Sequence, residues 1–186
     1  MELSREKALT RLHEHVSNEK TIIHSLASEV VMRALARHLG EDEDRWGLTG
    51  LMHDIDVEVT NADPKVHALK AAGLLEDFGF DEEMLDAIKM HNDEATGLPR
   101  TTRFQHALAA GETITGLIYA TTLVYPDKKI ESVKYKSVRK RMKAKAFAAS
   151  VNRDHIMECE EIGIPLDEFI QLSVDAMRGI SDEIGL

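Results

Sequence analysis

Apolar residues recur at three- and four-residue spacing along almost the whole chain, and only 11 Gly and 4 Pro interrupt them in 186 residues. A strand alternates with period two and a helix with a period near 3.6, so this pattern predicts an all-α fold without strands. The clearest stripe is Ile22, Ile23, Leu26, Ala27, Val30, Val31, Ala34 and Leu35; Asn18 can cap its start and Gly40 can end it in the left-handed conformation. Ser4 can cap an earlier helix reaching about Val16, and Asp42 or Asp44 opens a third through Leu48, Leu51 and Met52. Asn61-Ala62-Asp63-Pro64 marks a loop, followed by a proline-started helix through Leu74 and Phe78; Gly79 separates that helix from one over 81–91. Thr101 or Thr102 starts a long helix through Phe104, Leu108, Ile114, Leu117 and Ile118 that ends before Pro126. A helix from near Ser132 turns Tyr135, Val138, Met142, Ala146 and Ala149 inward, and a last pair occupies about 154–162 and 165–180.

Several classes of function drop out. The longest mostly apolar stretch, 114–124, contains three threonines and falls well short of the roughly 18–20 residues that span a bilayer. Met1-Glu2-Leu3-Ser4-Arg5-Glu6-Lys7 mixes charges of both signs with no apolar run, so no secretory or transit signal is visible and a cytoplasmic location is expected. The single cysteine, Cys159, can form neither an intrachain disulfide nor a thiolate cluster, so any metal site must be built from His, Asp and Glu.

Charge is segregated. The net charge is −10, yet residues 128–145 hold nine of the 23 Lys and Arg and a single acid, Glu131. The acidic remainder repels a long nucleic acid, whereas a short nucleotide or other small phosphorylated substrate could land on the basic segment. Arg139, Lys140 and Lys143, projecting from its helix, are candidate phosphate contacts, and His106 is a further candidate substrate contact.

Nine histidines equal the Phe, Tyr and Trp combined, an unusual parity. His53-Asp54 stands where an apolar helix stops, and there two adjacent side chains can face one ion. His24 sits beside the stripe of its helix, His67 falls in the first turn of the proline-started helix, and His91 ends the next helix. Glu112 lies inside an otherwise apolar helix, where an unpartnered carboxylate would cost several kcal/mol.

In this order, His24, His53-Asp54, His67, His91 and Glu112 resemble the ligand set of the HD-domain superfamily of metal-dependent phosphohydrolases, in its HDIG-type branch with extra histidines. The core motif is matched by Gly50-Leu51-Met52-His53-Asp54-Ile55-Asp56, with Asp56 where the branch has glycine. The His-containing helix start is matched by His67-Ala68-Leu69-Lys70-Ala71-Ala72-Gly73, and the closing acid reads Glu112-Thr113-Ile114-Thr115-Gly116 where aspartate is usual. The resemblance implies a compact helical bundle forming one domain over 1–186, with a core at about 18–125 and basic and C-terminal helices at about 132–186. It implies two divalent transition-metal ions (Fe, Mn, Ni, Co or Zn): one on His24, His53, Asp54 and Glu112, the other on Asp54, His67 and His91. Asp54, shared by both, would be the catalytic residue, and a bridging hydroxide would hydrolyse a phosphomonoester or phosphodiester of a nucleotide-like metabolite. The same ligand set also serves di-iron oxygenases of this superfamily, and a non-catalytic metal- or nucleotide-binding module is the reading from another class.

Overall fold

The computed structural model describes residues 4–186; Met1, Glu2 and Leu3 of the charged N-terminal run lie outside the described residues. Among the described residues the regular structure is all helical, with no strand, and no helix is long and apolar enough to cross a membrane.

The first three helices follow the capping residues. α1 (Arg5–His15) starts at Ser4, whose side chain accepts from Lys7 N. α2 (Glu19–Leu39) starts at Asn18, which accepts from Lys20 N, and stops at Gly40 with φ 74°. α3 (Glu43–Met52) starts at Asp42, which accepts from Arg45 N. Side-chain acceptors at these positions satisfy backbone donors that a helix start leaves open. α5 (Glu82–His91) is capped by Asp81, and α7 (Arg103–Leu123) by Thr102, which forms a reciprocal capping box with Gln105.

α2 is the spine: α3, α7 and α10 (Leu166–Arg178) pack on it. Two glycines set how closely the site-bearing helices approach it. A Cβ on Gly50 of α3 would lie 2.7 Å from the Ser28 carbonyl oxygen and 2.8 Å from Met32 Cγ, and one on Gly111 of α7 would lie 3.0 Å from Met32 Sδ. His53 follows Gly50 by one turn and Glu112 follows Gly111 directly, so both candidate ligands are carried where their helices approach α2 closely.

Two expected helices are shorter than the apolar pattern suggests. The proline-started helix does not form over 64–70; only α4 (Ala71–Leu75) is helical, and His67 sits in the preceding turns. Asp56, fully buried, accepts from the backbone N–H of Ala68 (3.1 Å) and Lys70 (3.0 Å), and Ala68 adopts φ 76°, so a tertiary hydrogen-bond pair overrides local helix propensity. Downstream, Ile130–Ser132 is a 3₁₀ turn and α8 (Tyr135–Met142) turns Val138 and Met142 inward, but Ala146 and Ala149 are not helical. The Arg153 guanidinium donates to the carbonyls of Phe147, Ala148 and Val151 and holds 147–151 in a loop, with Ala148 at φ 45°. A short α6 (Asp93–Thr96) follows α5, and the last part of the chain is α9 (Arg153–Met157), a 3₁₀ turn at Glu158–Glu160, α10, and a short α11 (Ser181–Ile184).

Gly50→Ala should therefore lower unfolding stability by about 1–3 kcal/mol, because the new methyl meets backbone that cannot step aside. Gly73→Ala, where nothing lies within 4 Å of the new Cβ, should be neutral or stabilising by about 0.5–1 kcal/mol. Chemical denaturation of the two variants beside the parent chain checks both; equal losses would contradict the close approach of α2 and α3.

Candidate metal centre

Four imidazoles converge on Asp54, and in each the ring nitrogen away from it faces an acceptor. His53 Nδ1–H donates to the Gly50 carbonyl (2.7 Å), and His91 Nδ1–H to the Ile88 carbonyl, each one turn back on its own helix. The Thr115 hydroxyl donates to the Glu112 carbonyl (2.7 Å), so its lone pair accepts from His24 Nδ1–H (2.9 Å). His67 Nδ1 lies 2.8 Å from Asp56 Oδ1, an ion-pair contact whose angle falls short of a hydrogen bond. In His24, His53 and His91 these acceptors assign the Nδ1–H tautomer, and all four rings leave Nε2 toward the centre. Partners of this kind, which fix the tautomer and aim the other nitrogen, accompany metal-ligating histidines.

At the centre, His67 Nε2 is 3.0 Å, His53 Nε2 3.4 Å and His91 Nε2 3.5 Å from Asp54 Oδ1, and His24 Nε2 is 3.7 Å from Oδ2. His24 Nε2 also lies 3.5 Å from Glu112 Oε2 and 3.1 Å from His53 Nε2. Two imidazole lone pairs that close repel unless a proton or a cation lies between them. Among the described residues, two groups of donor atoms are tight enough to share one ion: His24, His53 and Glu112, and His53, Asp54 and His91. His67 stands outside the second group and reaches it through Asp54. Mixed imidazole and carboxylate donors suit Mn, Fe, Co, Ni and Zn, so the residues present fit a divalent transition metal.

Crowding of charged groups shifts the protonation of the cluster. Burial favours neutral Asp54, but His53, His67 and His91 around it keep the carboxyl well below the usual range. Burial pushes the His53 imidazole down to about 4. Burial also opposes a charge on His67, but Asp54 and Asp56 outweigh it and lift the ring to about 10. His24 is raised, because Glu112 and Asp54 outweigh its burial; Glu112 is lowered chiefly by His24 against its own burial.

The cluster floors a cleft of about 390 Å³. Its far wall is Ser150, Val151, Asn152 and His155, with His155 Nε2 3.3 Å from Asp93 Oδ2. Arg100, nearly fully buried, braces this wall: it donates to Glu158 Oε1 and Oε2 and to the Met90 carbonyl. His106, expected at the substrate, is committed to that brace, with Nδ1 2.7 Å from Glu158 Oε2. Arg139, Lys140 and Lys143 are not brought to the cleft; they lie on or directly after α8, and Arg139 pairs with Asp167 at 2.8 Å.

Sequence reasoning missed two residues here. Asp56 positions His67, and its signal was the acid standing where the family motif has glycine. His155 lines the cleft from 43 positions beyond Glu112, with no local pattern to mark it.

The family model of the HD domain matches residues 21–122, a span that holds all six candidate ligands but not the wall at 150–155. No curated protein and no solved structure gives a significant match.

An ion held on His67 would displace the proton that His67 shares with Asp54, since Asp54 and Asp56 lift the ring to about 10. At pH 8 the binding heat should therefore depend on the ionisation enthalpy of the buffer, with at least one proton released per chain. His67→Gln should lose that release. A heat independent of buffer would contradict the assignment.

Proposed function

The chain belongs to the HD domain family, and from that premise we propose that it is a metal-dependent phosphohydrolase acting on a small phosphorylated substrate. The observation that carries this reading is the convergence of four Nε2 atoms on the Asp54 carboxylate, with Glu112 beside them. On this reading two ions are held, one by His24, His53, Asp54 and Glu112 and the other by Asp54, His67 and His91. Divalent ions there supply charge neutralisation at a phosphoryl group and lower the pKa of water toward neutrality.

The protein's own residues then have distinct tasks. Asp54 holds its negative charge across the neutral range and so can serve both ions. Thr115, Gly50, Ile88 and Asp56 keep the four rings from rotating, so the donor set is aimed before anything binds. Asn152 and His155 on the far wall face a substrate seated over the ligands. Asn92, also in the cleft, donates to the carbonyls of Pro64 and His67 and locks the turn that carries His67 to the end of α5. No lysine or arginine lines this cleft among the described residues, which is why charge neutralisation falls to metal and histidine.

A panel of phosphomonoesters and phosphodiesters assayed for product release with Mn, Fe, Co, Ni and Zn tests the reading. At least one metal should support turnover, and Asp54→Ala should reduce it about 10³-fold or more, since removing a shared ligand disturbs both ions at once. Undiminished turnover in Asp54→Ala would contradict it. Asp56→Asn should act more weakly, by about 10–100-fold, as expected for a residue that positions a ligand.

A further inference from the structure

Two cavities meet at His24 and Gly116. One is the cleft over the ligands. The other, about 190 Å³, lies between α2 and α7 and is closed by Met177 of α10. Its walls are Ile23 and Ala27 from α2 and Tyr119 from α7, with the exposed Lys20 alongside. His24 is the partition: its Nδ1 is tied to Thr115, a residue lining the second chamber, while its Nε2 faces the carboxylates of the first. Gly116, beside that partition, lines both cavities. A Cβ there would lie 3.2 Å from Val151 Cγ2, where α7 meets the far wall of the cleft.

The two chambers differ in chemistry. The cleft presents Asp54, Asp93 and Glu112 and, among the described residues, no lysine or arginine. Every phosphoryl group beyond the first held in the cleft would add negative charge that no lysine or arginine of the cleft meets, in a partly desolvated site where Coulomb repulsion is weakly screened. The second chamber is lined mainly by carbon, and an apolar cavity of about 150 Å³ is large enough to hold benzene. A single ring or short aliphatic group therefore fits it, while a nucleoside does not.

We propose that the chamber between α2 and α7 seats the leaving group, so that the substrate is a monophosphate ester of a compact, uncharged, largely apolar alcohol. This rests on the phosphohydrolase reading of the cleft. The phosphoryl group lies over the ligands, and the ester oxygen passes His24 and Gly116 with its carbon substituent against Ala27, Tyr119 and Met177.

The test is calorimetric binding of phenylphosphonate and methylphosphonate, neither of which has an ester bond to hydrolyse, to the metal-loaded full chain. Phenylphosphonate should bind at least tenfold more tightly. Ala27→Leu, which fills the chamber from α2, should bring the ratio of the two affinities close to one. Ile23→Phe, at a partly exposed position, should do the same if Ala27→Leu fails to fold by circular dichroism. Equal affinities in the parent protein, or a preference that persists in the folded variants, would overturn the chamber assignment while leaving the phosphoryl site intact. If neither phosphonate binds, the phosphohydrolase reading itself falls and takes this proposal with it.

Discussion

Asp54 is a carboxylate enclosed by imidazoles, and much of the structure answers to that one group. An ionised carboxylate taken from water without partners would be neutralised or would destabilise the fold. Here four rings from four separate segments supply the compensation: His24 from α2, His53 from the end of α3, His67 from the turns before α4, and His91 from the end of α5. Each ring is held from behind by an oxygen acceptor, so their orientation is a property of the fold and not of whatever binds. Gly50 and Gly111 allow the supporting helices to approach α2 closely enough for the cluster to close.

The chain beyond the family match supplies the other half of the cleft. Ser150, Val151, Asn152 and His155 face the ligands across it. Arg153 shapes the loop before α9, and Arg100 with Glu158 and His106 fastens the following turn to the end of α5 and to α7. The floor of candidate ligands thus comes from the part of the chain that matches the family, while the wall facing it across the cleft comes from outside it. The basic segment 128–145 plays no direct part in the floor or the wall: Arg139 is paired with Asp167, and Lys140 and Lys143 are solvent-facing.

What was legible in the sequence was local. Ser4, Asn18, Asp42, Asp81 and Thr102 announce helix starts because capping is decided within a few residues, and Gly40 announces an end for the same reason. The six candidate ligands carry a signal in their order along the chain, and the fold brings the six side chains into one cluster. The helix expected after Pro64 was misread because Asp56 captures the N–H groups of Ala68 and Lys70 from 12 and 14 positions away. The end of α8 was misread because the guanidinium of Arg153 takes the carbonyls that a continuing helix would need. His155 and the chamber under Met177 arise only when distant segments meet, so no spacing along the chain could show them.

The central claim is that these donors form a two-ion centre organised around Asp54. The most direct measurement is metal content per chain, by inductively coupled plasma mass spectrometry, on protein purified without chelators and again after reconstitution. The account predicts about two transition-metal ions per chain, falling to about one in His91→Ala, which removes a ligand of one ion only. One ion per chain that survives His91→Ala, or none after reconstitution, would contradict it.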